Sequence, residues 1–253
     1  MLQQERHNQI LAKLNLEGQV KVKALSQEFH VSEDCIRKDL KILEKARQLK
    51  RIHGGAMQLR ENPHTLYVDE RKNVNVKEKQ IIAAKAVQLI RPGMVIFLDI
   101  STVTLEIAKL IYQQNLNMTV VTNMIDIMNV FVNECATQLI FIGGKLNRAH
   151  DGFIGSLTID QLKKYKFDLS FMGVVGIDVY AGKVSTYDVE DGLTKQEAIH
   201  SSKISYMVGE VSKLTMDGNY VFGDIEDFSG YICDQMPETG IYQKIIESGL
   251  EVL

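Results

Sequence analysis

Apolar positions recur with two different periods along the chain, and the change of period divides it. Over the first sixty residues the period is helical. Ile10, Leu11 and Leu14 point inward from a helix expected over about residues 3 to 15, with Gly18 ending the turn after it. A second, shorter helix is expected over Val22 to Phe29, followed by a tight turn at His30-Val31. Ser32 is a good N-cap for a third helix, and Glu33 and Asp34 stand in its first turn, where negative charge suits the helix dipole. Ile36, Leu40 and Leu43 then form one apolar stripe, which leaves Arg37, Lys38, Lys41 and Lys45 largely on other faces. A helix so loaded with cations, running into a short basic hairpin with Gly54-Gly55, predicts a winged helix-turn-helix, whose second helix of the pair enters the major groove of DNA.

Beyond about residue 76 the pattern becomes short continuous apolar runs between amphipathic segments. Helices are expected near 77–90, 103–113, 124–133 and 188–201, and strands at MVIFLD, MTVVT, QLIFIGG, FDLSFMGVVGID, ISYMVG and YICDQ, with a last helix and strand at the end. This alternation predicts an α/β domain with a mostly parallel sheet covered on both faces. Between Met57 and Val76 the periodicity fails, and Pro63, His64 and mixed charges suggest a linker. The expected organisation is a winged helix-turn-helix over 1–57, a linker over 58–76 and an effector domain over 77–253.

Charge sharpens the division. The net charge is only −3, but residues 1 to 60 hold 12 Lys+Arg against 7 Asp+Glu, while the remaining residues hold 17 against 25. A basic N-terminal module suits a polyanion that the acidic remainder repels, although charge alone fits a solvated helix equally well. No apolar run approaches the roughly 20 residues of a membrane helix, and MLQQERHNQI lacks the apolar core of a signal peptide, so a cytoplasmic protein with no membrane partner is expected. Cys35, Cys135 and Cys233 are far apart and read as reduced thiols. The six histidines form no ligand-like spacing with them, so neither metal nor cofactor is expected.

In an open parallel sheet, ligands bind beyond the C-terminal ends of the strands. The strand exits here are polar: Asp99, Ser101, Thr102 and Thr104 after the first strand, Thr122 and Asn123 after the second, Gly143, Gly144 and Lys145 after the third, then Gly173, Gly176 and Asp178. Hydroxyls and free backbone N–H groups at a helix start hold anions, glycines let backbone approach a ligand, and Lys145 or Lys195 can neutralise a phosphate. Each motif alone is ordinary loop chemistry; their recurrence in one sheet points to a small, polyhydroxylated, anionic ligand.

These residues carry a specific resemblance. Val31-Ser32-Glu33-Asp34-Cys35-Ile36-Arg37-Lys38-Asp39-Leu40, continuing to Leu43-Glu44, together with Arg51-Ile52-His53-Gly54-Gly55-Ala56, resembles the N-terminal signature of the DeoR family of bacterial sugar-responsive regulators. The resemblance extends over nearly all of the chain, through Asp99 to Thr104, Thr122-Asn123, Gly143-Gly144, Gly176 to Asp178, Thr186, Asp188, Glu190, Lys195 and Ser212-Lys213. It implies an effector domain of the ribose-5-phosphate isomerase/CoA-transferase kind. DNA contacts are implied from Ser32, Glu33, Cys35, Arg37, Lys38, Lys41, Lys50, Arg51, His53, Gly54 and Gly55, and effector contacts from Asp99, Ser101, Thr102, Thr104, Thr122, Asn123, Gly143, Gly144, Lys145, Asp178, Asp188, Glu190, Lys195 and Lys213.

Several positions depart from the family pattern. Cys35 replaces a Thr and Lys38 an Arg, which turns a bidentate fork into a point charge, and Arg47 stands where the family generally has Gly. Ile100 and Ser101 put bulk where the backbone normally closes around an anion, and Glu210 takes the place of an Asp. The expected function is a DNA-binding transcriptional regulator and not an enzyme: a repressor of a carbohydrate uptake or catabolism operon, a homodimer or homotetramer on double-stranded operator DNA, released by a phosphorylated sugar. The alternative is a sugar-phosphate isomerase with an N-terminal DNA-binding module, for which Asp99, Asp178, Asp188, Glu190 and Lys195 supply the residue types.

Overall fold

In the computed structural model, Ile10, Leu14, Leu25, Ile36, Leu40 and Leu43 meet in one core. Burial of side chains of this size stabilises the fold by about 1.5–3 kcal/mol each. They come from α1 (Gln3–Glu17), α2 (Val22–Phe29) and α3 (Glu33–Lys45), accompanied by the short strands β1 (Gln19–Lys21), β2 (Lys50–Ile52) and β3 (Gly55–Met57). The structure describes residues 2–46, 48–57, 68–148 and 151–253, so Arg47 and residues 58–67 of the expected linker lie outside the described residues.

Local chemistry sets each boundary of this unit. Gly18, at φ +72°, ends α1 with its N–H on the Leu14 carbonyl. His30 adopts the left-handed conformation after α2, and Ser32 Oγ accepts from Cys35 N at 3.2 Å to start α3. The sheet order is β1-β3-β2, with β1 antiparallel to β3. β1, which the sequence pattern does not announce, determines the residue at 55: a Cβ there would lie 2.0 Å from the Val20 carbonyl oxygen. Buried Asp39 of α3 accepts from Arg6 Nε at 2.5 Å and Nη2 at 3.1 Å, is 3.0 Å from His7 Nε2, and accepts from Gln3 at 3.3 Å, which fixes α1 on α3.

The second unit comprises Asn62–Pro237 and Ile245–Leu253; the first takes in Glu238–Lys244 besides the N-terminal residues. Within the stretch expected as linker, α4 (Val68–Lys72) forms and Val76 opens α5 (Val76–Val87). There follow β4 (Val95–Leu98), α6 (Thr102–Gln113), β5 (Thr119–Thr122), α7 (Ile125–Val130), β6 (Gln138–Phe141), β7 (Lys145–Asn147), β8 (Gly152–Ile154) and α8 (Ser156–Leu162). The remainder is β9 (Leu169–Gly173), β10 (Gly176–Asp178), β11 (Lys183–Thr186), α9 (Val189–His200), β12 (Ser205–Val208), β13 (Tyr220–Asp224), β14 (Gly230–Ile232), α10 (Thr239–Glu247) and β15 (Glu251–Val252).

Seven strands form one parallel sheet in the order β15-β14-β12-β9-β4-β5-β6. The fold is thus the expected α/β architecture. Ile96 and Leu98 of β4 join the core under α5 and α6, whereas Phe97 between them packs on Phe167 at 5.3 Å between ring centroids, the alternation of a strand covered on both faces. Additional antiparallel pieces, β10-β11-β13 and β7-β8, complete the unit. From β4 the chain moves outward through β5 and β6, then returns to β9 and moves outward the other way. The order therefore reverses between β4 and β9, where crevices form at the carboxyl ends of an open sheet. Among the described residues no helix is long and apolar enough to cross a membrane, and no group of three or more His, Cys, Asp or Glu is placed to hold a metal.

Candidate functional site

The N-terminal unit presents a row of exposed cations. Lys38 and Lys41 on α3 and Lys50, Arg51 and His53 on the β2–β3 hairpin are exposed, with Gly54 at φ +78° making the turn. Glu44 of α3 accepts from Arg51 N at 3.0 Å and so ties the hairpin to the helix. Arg37 is exposed but already engaged: its Nη1 donates to Asp34 at 2.7 Å and its Nη2 to Glu33 at 2.6 Å. Cys35 is half-buried, with Sγ 4.0 Å from Asp39 Oδ2, and Gly55 is buried, so both positions serve packing in this unit. Exposed Lys21 and Lys23 flank the start of α2; they belong to no motif and were not expected. Burial alone would raise the Asp39 carboxyl, but hydrogen bonds from Arg6, His7 and Gln3 outweigh it and hold the group below its ordinary value.

In the second unit a cavity of about 160 Å3 opens at the reversal point of the sheet. Its floor is the exit of β4 and the start of α6, Ser101 to Val103. Its far wall comes from Val174 after β9 and from Val208 to Lys213 after β12. Three cations, Arg71, Lys79 and Lys213, line it together with Glu210 and Tyr187. Ser101 Oγ takes up Val103 N at 3.1 Å as the cap of α6. Lys79 is buried, with Nζ donating to the carbonyls of Arg71 at 2.5 Å and Val74 at 2.6 Å, and so holds the turn between α4 and α5 beside the cavity. The Arg71 guanidinium lies over the Tyr187 ring at 5.6 Å. Burial pushes the ammonium groups of Lys79 and Lys213 below the usual lysine value; for Lys213 the Glu210 carboxylate opposes this and Arg71 adds to it. Cations held in this way favour an anion, whose charge returns the stabilisation that burial removed.

A second buried group lies behind Ser101. The Asp99 carboxylate accepts from Lys195 Nζ and from Gly173 N at 3.0 Å, and Asp191 stands 3.7 Å from Lys195 and accepts from Thr186 Oγ1 at 2.5 Å. Burial lowers the Lys195 ammonium, but Asp191 and Asp99 outweigh it, so the lysine keeps its proton more firmly than usual. Burial, helped by Asp191, raises Asp99 against the pull of Lys195. One ammonium between two carboxylates is thereby a closed unit that sets the β4 exit on β9 and α9.

The bulky departures in the β4 exit loop have matching glycines. Ile100 is buried against Gly152, where a Cβ would come within 2.4 Å of Ile100 Cδ1, and Ser101 lies against Gly173. The loop therefore accepts Ile100 and Ser101 by turning them onto glycine surfaces of β8 and β9.

Of the expected effector residues, Ser101, Thr102 and Lys213 line the larger cavity, and Lys195 lines a smaller one beside it, on which Ser101 also borders. The others line neither. Thr104 Oγ1 donates to the carbonyls of Asp99 and Ser101, Thr122 Oγ1 donates to Leu98 O, and Asn123 Nδ2 donates to Phe153 O, all as internal fastenings. Gly143 O accepts from Thr158 and Gln161, and Gly144 leaves no space for a Cβ beside Thr158. Asp178 caps its own turn on Tyr180 N and Ala181 N, Asp188 caps α9 on Asp191 N, and Lys145 pairs with Glu190 at 2.8 Å on the surface. Arg71, Lys79 and Tyr187 were missed: Arg71 and Lys79 belong to no motif, and Tyr187 is the unassigned position between Thr186 and Asp188.

Residues 6–61 match the family model described as a DeoR-like helix-turn-helix domain, and residues 74–235 match that of the DeoR C terminal sensor domain. The chain is 28% identical over 252 residues to the glycerol-3-phosphate regulon repressor of Escherichia coli strain K12, covering 100% of this chain and 99% of the relative. It is 28% identical to the HTH-type transcriptional repressor GlcR of Bacillus subtilis strain 168, covering 100% and 96%, and 32% identical to the uncharacterized HTH-type transcriptional regulator FruR of the same organism, covering 90% and 89%. Among solved structures it is similar to ribose 5-phosphate isomerase A from Methanocaldococcus jannaschii over 55% of each chain, at 15% identity and a TM-score of 0.41. With both of its units matched in order by the two halves of one family, the chain belongs to the DeoR family of DNA-binding transcriptional regulators.

Proposed function

We propose that this regulator is a repressor of a carbohydrate uptake or catabolism operon, acting as a homodimer or homotetramer on operator DNA and released by a phosphorylated sugar. The observation that carries the effector is the cavity at the β4–β9 reversal, where Arg71, Lys79, Lys213 and the start of α6 converge with Glu210 and Tyr187. The cations and helix N-terminus suit a phosphate. Glu210 and Tyr187 suit hydroxyls. Relatives named for a glycerol-3-phosphate regulon are consistent with an effector of this chemical class.

Release requires that the effector bind better to the DNA-free conformation than to the DNA-bound one. Arg71 lies on α4, within the 58–76 stretch expected as the linker, so a ligand that engages Arg71 engages that stretch. Of the residues on which the isomerase alternative would rest, Asp99 and Lys195 are buried on one another, Asp178 and Asp188 cap backbone N–H groups and Glu190 pairs with Lys145, and relatives over the whole length are named as repressors. The test is fluorescence-anisotropy binding to DNA upstream of the protein's own gene, repeated with a panel of sugar phosphates at fixed salt. Tight specific binding that one sugar phosphate abolishes is the expected result; binding that every member of the panel leaves unchanged refutes the effector reading. Proton exchange on the same sugar phosphates would be the mark of an enzyme.

A further inference from the structure

The cations of α3 are of two kinds. Lys38 and Lys41 are exposed and make no ion pair among the described residues, whereas Arg37 is forked between Glu33 at 2.6 Å and Asp34 at 2.7 Å. All three members of the fork sit in the first two turns of the helix, where the side chains of a recognition helix meet base edges. Together they carry a charge of −1 at the place where sequence-independent attraction would want a positive one. Exposed pairs of this kind are weak enough to exchange. Laying Arg37 on a phosphate would strip the carboxylates of their partner while bringing them toward the negative backbone, so generic DNA gains little from it.

A base-pair edge can satisfy the whole fork. Guanine O6 and N7 accept both arms of an arginine, and the N4 amino group of cytosine donates to a carboxylate. We propose that Glu33 and Asp34 are specificity-determining residues: they hold Arg37 off phosphates, and on the operator one of them accepts from a cytosine N4 amino group while Arg37 takes a guanine. The proposal rests on α3 being the recognition helix. A purely structural role is open to the same two residues, since acids in a first turn also stabilise a helix start.

A selection followed by titration separates these roles. The wild-type protein recovers its preferred duplex from a randomised pool. Affinities for that duplex and for a scrambled duplex of the same composition are then measured at fixed salt for wild type, Glu33→Gln, Asp34→Asn and the double variant. The double variant is expected to bind the scrambled duplex about tenfold more tightly while gaining less, or losing, on the preferred one, so that the specificity ratio falls about tenfold. Its own selected duplex should lose discrimination at a cytosine. Lys38→Gln, a phosphate-type control, should change both duplexes by the same factor. If the double variant also changes both by one common factor, the carboxylates act only as bulk charge or as helix-start residues, and the proposal is overturned. If the wild type recovers no preferred duplex, the reading of α3 as a recognition helix fails first and the proposal falls with it.

Discussion

Gly173 and Ser101 are complementary: a Cβ on Gly173 would lie 2.4 Å from Ser101 Cβ and 2.6 Å from its Oγ. The end of β9 is therefore shaped for the side chain that caps α6 on the cavity floor. Gly173→Ala should destabilise the second unit by about 1–3 kcal/mol, the usual cost of overpacking. Removing the opposing side chain as well, in Ser101→Gly with Gly173→Ala, should recover much of the loss. Denaturant unfolding of the two single variants and the double variant would read this coupling, and strictly additive effects would show that the two residues do not share one space.

Asp39 makes the first unit sensitive to acid. Its carboxyl is held below the ordinary value by Arg6, His7 and Gln3 against the opposing effect of burial. A group depressed in this way contributes stability above its unfolded value, near 3.9, and that contribution is lost as pH falls through the folded value. Hydrogen exchange of α1 and α3 amides, followed from neutral pH downward, should show protection falling through the acid range. Asp39→Ala should lose about 3–5 kcal/mol at neutral pH, because Arg6 is left buried without its partner, and should lack this acid-dependent loss.

The parts of the molecule that local chemistry specifies were readable from the sequence. The Ser32 cap and the stripe of Ile36, Leu40 and Leu43 marked α3, and all three stripe residues are in the core. The run from Val95 to Leu98 announced β4 because a strand covered on both faces has no polar alternation. β1 escaped notice because it is three residues long and exists through pairing with β3. The cavity was legible only in part. Ser101 and Thr102 follow a strand and begin a helix, which is a local signal, and Lys213 entered through the family resemblance. Arg71, Lys79 and Tyr187 converge only after the chain has folded. Thr104 and Thr122 illustrate the converse: a hydroxyl at a strand exit looks free in sequence but is used here to bind backbone carbonyls.

The lysines of the cavity give the effector proposal a pH signature. Burial lowers Lys79 and Lys213, and an anion beside them would raise both again. Effector affinity should fall as pH rises through the alkaline range, and the decline should begin lower than for an ordinary lysine. Binding within that declining range should take up protons, which calorimetry in buffers of different ionisation heat detects. Arg71→Gln and Lys213→Gln should each weaken operator release about tenfold or more, the loss expected for a charge-assisted hydrogen bond. Lys145→Gln, which removes only the surface pair with Glu190, should leave it unchanged.

Arg37→Ala should be more damaging to DNA binding than the loss of one contact. Removing the guanidinium takes away a base partner, a cost of about 1–3 kcal/mol, and also exposes Glu33 and Asp34 without their counter-charge. Both carboxylates would then face the phosphates and repel them. Operator affinity should therefore fall by more than for Lys38→Gln or Lys41→Gln, each of which removes one unpaired charge and should lower the salt slope by about one for both operator and unrelated DNA. Adding Glu33→Gln and Asp34→Asn to Arg37→Ala should restore part of the lost affinity without restoring sequence preference. Anisotropy titrations over a range of salt, with the second unit checked for unchanged unfolding, would measure all three effects. Unchanged operator affinity in Arg37→Ala would show that α3 does not enter the DNA interface through its first two turns.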